Sequence, residues 1–239
     1  MDNILITICA RGGSKGIPGK NTKIINGTPL IAYTIIHATK FSKMYSVDIG
    51  LSTDSLNIKN TASKYGVVTP YTRKSKLASD TAGKLETIAD LLFFEEKRKK
   101  KIYDYILDLD VTSPLRTIDD LKNAFISLKE SKSALNIFSV SPANRNPYFN
   151  MVEKKENGFY STVKSANNIL SRQVAPKVFD MNASFYIYKR EYFDLGMTTA
   201  ISDKSLIYEM KHICFDLDES IDFIFMEFLL KNNLLDFQL

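Results

Sequence analysis

Short apolar runs alternate with amphipathic stretches along the 239 residues of the chain. Ile4 to Ala10 is a nearly unbroken apolar run of strand length, and Val47 to Ser52, Val67 to Tyr71, Tyr105 to Leu109 and Ala134 to Val140 read as further strands. Helical spacing fills the gaps. Thr28 and Pro29 suit the N-cap and first turn of a helix reaching about Lys40, with Leu30, Tyr33, Thr34 and His37 on one face. Ser52, Thr53 and Asp54 supply capping groups to a second helix that stops near Tyr65 and Gly66. Gly83 to Arg98 and Asp119 to Glu130 are two more. The rhythm predicts an α/β fold with a doubly wound, mainly parallel sheet, in which ligands sit beyond the carboxyl ends of the strands.

Ser141 to Lys177 breaks the alternation. It is rich in Asn, Pro, Ser and Lys and carries only short alternating pieces, Phe149 to Val152 and Phe159 to Val163. It reads as an inserted arm at 141–177, dividing one α/β domain into 1–140 and 178–239. Asn182 to Tyr188 resumes the sheet, Ile213 to Leu217 is expected as a late strand, and Glu219 to Lys231 as a closing helix.

Composition narrows the setting. A chain of this length with 44% hydrophobic residues can bury about 70 to 75% of its unfolded surface. The net charge of +5 suits nucleic acid or acidic small molecules equally. The two cysteines, Cys9 and Cys214, sit in apolar surroundings without metal spacing. No apolar run approaches the roughly 18 residues of a membrane span, and only three residues precede the first strand, so a cytoplasmic protein is expected. Lys97 to Lys101 at a helix C-terminus reads as a solvated, dipole-complementing run.

Candidate chemistry concentrates after the first strand. Arg11, Gly12, Gly13, Ser14, Lys15, Gly16, Ile17, Pro18, Gly19, Lys20 and Asn21 form a glycine-rich bend with three cations and no carboxylate. Bare amides of Gly12, Gly13 and Ser14 suit an anion nest, and Arg11, Lys15 and Lys20 can neutralise a polyphosphate. Gly19 and Lys20 precede Asn21, and the position five before Gly19 is Ser14, so this is not a Walker loop; adjacent Gly12 and Gly13 exclude the dinucleotide fingerprint. A solvated basic turn is the plainer alternative. Late in the chain Asp216 and Asp218 flank Leu217, a spacing that suits a hard cation with oxygen ligands or, for Asp218, a helix cap. Asp108 and Asp110 repeat the pattern, as metal ligands or as a buried acid paired with a lysine. His37 reads as a packing residue.

The bend resembles the N-terminal signature of the CMP-sialic acid synthetases, and Ala78 to Thr81, Ser113 to Arg116 and Asp216 to Asp218 match further motifs of that family in order. The resemblance implies a Rossmann-like nucleotidyltransferase fold that joins CTP to a nine-carbon 2-keto acidic sugar and releases pyrophosphate. Arg11, Lys15, Lys20 and Asn21 would hold the nucleotide, Arg73 and Ser79 its cytosine and ribose, and Asp216 and Asp218 a catalytic Mg²⁺ or Mn²⁺. Lys20, Arg11 and Asp216 are then the catalytic candidates. Asp110 and Arg116 fall on the acceptor side. Arg172 suits the sugar carboxylate through two hydrogen bonds, and Gln173 and Asn182 its hydroxyl or amide groups. Asp110 and Val111 stand where many sialic acid enzymes have glutamine and proline, and Asp180 and Met181 where they have arginine and proline. With Arg145 to Asn150 and Arg172 to Ser184, these departures look like the subgroup activating legionaminic acid. Relatives of this kind dimerise through the arm, so a homodimer is expected, with neither nucleic acid nor membrane as partner. Other readings are an N-acetylneuraminate or pseudaminate enzyme, another sugar nucleotidyltransferase, or a basic RNA-binding module using Lys97 to Lys101.

Overall fold

The computed structural model describes residues 2–13, 16–165 and 171–239. Strand β1 (Ile4–Cys9) lies inside the sheet, and its alternating side chains serve two separate cores. Ile4, Ile6 and Ile8 join one, with residues of the first helix; Leu5 joins the other, with residues of the third. All four are at most 1% exposed, and each contributes about 1.5 to 3 kcal/mol by leaving water.

The bend after β1 leads into a small hairpin of β2 (Ile24–Ile25) and β3 (Thr28–Pro29). Asn26 and Gly27 connect them with φ of +46° and +77°, the left-handed pair that a tight hairpin requires. Thr28 and Pro29 therefore belong to this hairpin, and α1 (Leu30–Ser42) begins one residue later than its expected first turn, without a side-chain cap. Strand β4 (Val47–Ser52) falls where expected, and Ser55 caps α2 (Leu56–Lys64), its side chain accepting from the Ile58 amide. Gly66, at φ +88°, follows that helix.

The expected strand over Val67 to Tyr71 is absent; that segment runs as coil beside β4, tied by the Arg73 amide to the Thr53 carbonyl. Helix α3 (Lys84–Lys99) and β5 (Tyr105–Leu109) follow, then α4 (Ile118–Glu130), whose Thr117 and Asp120 form a reciprocal capping box. Strand β6 (Asn136–Pro142) leads into the segment carrying the exposed hairpin β7 (Val152–Lys154) and β8 (Tyr160–Thr162). The chain returns through β9 (Phe179–Lys189), a one-turn α5 (Glu191–Asp194), β10 (Ser205–Glu209) and α6 (Ser220–Lys231).

Among the described residues the main sheet has the order β10-β6-β9-β5-β1-β4. β9 alone runs against the rest, pairing antiparallel with both β5 and β6. The expected strand at Ile213 to Leu217 does not form. The edge position goes to β10 instead, parallel to β6, while Leu217 is buried and hydrogen-bonds Thr112 through its amide. Chain direction across the sheet reverses at β1: it moves outward to β4 and then across to β5, opening a crevice at the carboxyl ends of β1, β4 and β5.

Candidate active site

That crevice is a cavity of about 310 Å³. It gathers Arg11, Lys20 and Asn21 from the bend after β1, Arg73 and Ser79 from the segment before α3, and Asp110 from the turn after β5. Six of the residues singled out by sequence thus meet in one place. Two others, Ser14 and Lys15, lie outside the described residues.

The bend is held from several sides. The Gly12 amide donates to Asp54 Oδ1 at 2.7 Å, and a Cβ on Gly12 would lie 2.9 Å from the Ser55 Cβ, so the loop packs where only glycine fits. Gly13 has open space around it. Asn21 donates through its side-chain amide to the Arg11 carbonyl at 3.0 Å, joining both ends of the bend. Gly16 passes 3.2 Å, measured from an ideal Cβ, from the Asp218 carbonyl, which brings the late acidic segment against the loop.

Cations in the cavity rest on carboxylates. Arg11 Nη1 lies 2.8 Å from Asp80 Oδ1, and Lys20 Nζ 2.8 Å from Asp218 Oδ1. Arg73 is buried and donates to Ser52 Oγ at 2.9 Å and to the Ser52 carbonyl at 2.8 Å, which fixes its guanidinium on the cavity wall. Incoming phosphates can replace Asp80 and Asp218 as partners without any cation being desolvated anew.

Asp216 and Asp218 differ in setting. Asp218 is exposed and does not cap α6; Glu219 does, in a capping box with Asp222. Asp216 is half-buried, and its Oδ1 has no hydrogen-bond partner among the described residues. Burial lifts the Asp216 carboxyl to about 6, and the charges of Asp110 and Asp218 add to the rise. A buried carboxylate oxygen without a donor, beside a second acid and a phosphate-type loop, fits a hard divalent ion. Among the described residues no three His, Cys, Asp or Glu side chains cluster tightly enough to hold a metal unaided, so substrate oxygens would complete its coordination.

Sequence reasoning passed over Lys84. From the first turn of α3 its Nζ reaches Asp110 Oδ2 at 2.8 Å and Asp108 Oδ2 at 3.1 Å, above the Tyr186 ring. Burial would lower its pKa, but the two carboxylates outweigh that and hold it well above the ordinary lysine value. Burial likewise opposes ionisation of Asp110, yet Lys84 and the Thr112 donors keep it at about 2. Asp108 is therefore a sealed acid paired with a lysine, and its Oδ1 accepts from Thr7 at 2.7 Å. The available signal was a lysine in the first turn of a helix, a position whose dipole disfavours it unless acids stand opposite.

Four acceptor-side candidates, Arg116, Asn182, Arg172 and Gln173, lie outside this crevice within a single chain. Arg116 is fully buried and donates to the Asp110 and Ser113 carbonyls, so it braces the turn and does not face the cavity. Asn182 is sealed in the sheet. Its amide oxygen accepts from Ser139, and its nitrogen donates to Ser141, because a bulge between Phe138 and Val140, with Ala183 at φ +56°, turns it inward. Arg172 and Gln173 line a different hollow of about 330 Å³ at the base of the arm, with Asn146, Phe179 and Glu209. His37 is buried against the Tyr33 carbonyl, and burial pushes its pKa down to about 3, as a packing residue requires. Lys99 and Lys101 both bind Asp48, which removes two cations from the run an RNA surface would need. No helix among the described residues is long and apolar enough to cross a membrane.

A mainly parallel α/β sheet with a cationic crevice at its switch point is the setting of a nucleotide-binding enzyme. The cytidylyltransferase family profile matches residues 5–230, and the chain belongs to that family. It is 42% identical over 232 residues to the CMP-N,N'-diacetyllegionaminic acid synthase of Campylobacter jejuni, covering 97% of this chain and 96% of that protein. It is 41% identical, with the same coverage, to the post-translational flagellin modification protein B of Campylobacter coli. In fold it matches a CMP:2-keto-3-deoxy-manno-octonic acid synthetase solved with CTP, with a TM-score of 0.65, 16% identity, and coverage of 97% of this chain and 99% of that one.

Proposed function

We propose that this cytidylyltransferase transfers CMP from CTP to a nine-carbon 2-keto acidic sugar, legionaminic acid in its diacetamido form, in the cytoplasm. The observation that carries the reading is the crevice itself, where Arg11, Lys20 and Arg73 line one cavity and Lys20 reaches Asp218 of the late acidic couple. The choice of cytidine and of this sugar rests on the full-length similarity to the legionaminic acid enzyme.

The anomeric hydroxyl attacks the α-phosphorus in line, the bond from that phosphorus to the bridging oxygen of the β-phosphate breaks, and pyrophosphate leaves. Lys20 and Arg11, released from Asp218 and Asp80, stabilise charge growing on the leaving group. The Gly13 amide and Asn21 hold the phosphates, Gly12 keeps the loop close to α2 through Asp54, and Arg73 and Ser79 flank the nucleoside. Asp216 and Asp218 would hold Mg²⁺ or Mn²⁺, which when bound neutralises triphosphate charge and acidifies the attacking hydroxyl. Neither histidine is needed as a base.

The protein acts as a homodimer in this reading. Arg172 and Gln173 lie away from their own chain's crevice, at the base of an arm able to reach a second copy, where Arg172 would meet the sugar carboxylate. The test is product formation from CTP with legionaminic, pseudaminic, N-acetylneuraminic and eight-carbon keto-sugar acids, alongside the other nucleoside triphosphates. CMP-legionaminate is the expected main product. Asp216→Asn should lower turnover at least about a hundredfold with an unchanged circular dichroism spectrum; full activity would remove the metal assignment.

A further inference from the structure

Two Asp-x-Asp couples, Asp108 with Asp110 and Asp216 with Asp218, look alike in sequence, yet the fold treats them in opposite ways. Each oxygen of Asp110 is engaged: Oδ1 accepts from the Thr112 amide and hydroxyl, both at 2.8 Å, and Oδ2 from Lys84 at 2.8 Å. Asp108 has no exposed surface; Thr7 donates to its Oδ1 at 2.7 Å, and its Oδ2 faces Lys84 at 3.1 Å as an ion pair. By contrast Asp216 Oδ1 has neither a hydrogen-bond donor nor an ion pair among the described residues, and Asp218 has 73% of its side chain exposed.

We propose that Lys84 is a positioning residue for the reaction: its ammonium is a resident monocation wedged between Asp108 and Asp110, which withholds both carboxylates from the divalent ion and leaves that ion to Asp216 and Asp218. The inference rests on the proposed metal couple. It goes further by assigning a cation to each couple, one covalently part of the chain and one exchangeable.

Geometry and charge support the assignment. Lys84 is gripped from three sides, by two carboxylates and by the Tyr186 ring 4.4 Å from its Nζ. A divalent ion could reach Asp110 Oδ2 only by expelling this ammonium, and the expelled charge would remain tethered to α3 beside it. With Lys84 in place the three groups sum to a single negative charge. Without it, two bare carboxylates would face the α-phosphate of the substrate and attract a second divalent ion. A lysine here thus spends one couple's charge in advance and keeps the crevice passable to a triphosphate.

Mn²⁺ binding to the full chain, followed by electron paramagnetic resonance with CTP present and sugar absent, tests this without turnover. Asp110→Asn should leave Mn²⁺ affinity within about twofold of wild type, whereas Asp216→Asn should weaken it at least about tenfold. Lys84→Met should strengthen Mn²⁺ binding about tenfold or add a second ion, and Asp110→Asn in that background should cancel the gain. Lys84→Gln replaces the methionine variant should that one not fold, and the Asp110→Asn comparison stands without either. The inference is overturned if Asp110→Asn weakens Mn²⁺ as much as Asp216→Asn does, or if removing the ammonium leaves Mn²⁺ binding unchanged. If Asp216→Asn keeps wild-type affinity, the metal couple itself falls and takes the inference with it, so the two failures are told apart.

Discussion

Gly12 shows how much of this crevice depends on one missing methyl group. Its amide reaches Asp54, and the space a Cβ would fill is already taken by Ser55 at the start of α2. A contact of 2.9 Å must be relieved by moving the loop, and the loop carries Arg11. Gly12→Ala should raise KM for CTP about tenfold, equivalent to about 1.4 kcal/mol of lost binding, with little change in melting temperature since Gly12 lies outside both cores. Steady-state kinetics and a thermal scan check this; an unchanged KM would mean the loop has room to spare. Arg116 makes the complementary point. A guanidinium is expected to grip a ligand, but burial here lowers its pKa to about 10 and its Nη2 donates to two carbonyls of its own turn. It shapes the crevice by setting where Asp110 ends up.

At the scale of elements, α4 is anchored at its start by charge as well as by its capping box. His212 Nε2 lies 2.8 Å from Asp120 Oδ2, the carboxylate oxygen that also accepts from Thr117, and its ring packs at a tilt against Phe237 near the C-terminus. Burial pulls the His212 pKa down, but Asp120, the Ile213 carbonyl and Asp236 outweigh it, and the net shift is upward. Burial raises Asp120, while His212 and Thr117 lower it further, so its net shift is downward. A histidine raised in the folded state stabilises fully below its unfolded pKa, near 6.5, and loses that contribution as pH rises through the folded value. A depressed aspartate contributes above about 3.9 and loses it as pH falls. The pair therefore stabilises most between about pH 4 and 6.5. His212→Gln should cost about 1 to 2 kcal/mol at pH 6, and the gap to wild type should narrow by pH 9, as measured by urea unfolding. A gap independent of pH would show that packing on Phe237 is all that His212 contributes.

For the whole molecule the telling feature is the exposed hairpin of the segment between β6 and β9. Hairpin β7 to β8 is two strands long, turns at Gly158 with φ +83°, and exposes 63% of Val152, 74% of Phe159 and 68% of Tyr160. A two-stranded hairpin is marginal in water, and one with large apolar side chains in solvent is better suited to packing on another surface. Replacing 152–162 with a short Gly-Ser link should convert the proposed dimer to monomer by light scattering. It should abolish sugar turnover while CTP binding, for which the proposed residues lie in the crevice of each chain, survives. A wild-type protein that is already monomeric would end the dimer proposal.

Much of the fold and part of the crevice could be read directly from the residues. The runs at Ile4 and Tyr105 are apolar enough to demand burial on both faces, and the glycines and cations of the first bend carry their purpose in composition, since both signals are local. What the chain could not announce was which polar groups would already be satisfied. Val67 to Tyr71 has strand composition but finds no ladder, and β10 takes the edge although two of its five residues are exposed and none is fully buried. Asp108 and Asp216 sit in matching Asp-x-Asp frames, yet a lysine from α3 claims the first and no described residue donates to the open oxygen of the second. Arg116 and Asn182 turn inward for the same reason. Hydrogen-bond partners come from residues distant in sequence, so only the assembled structure decides which charges are spent on the fold and which remain for the ligand.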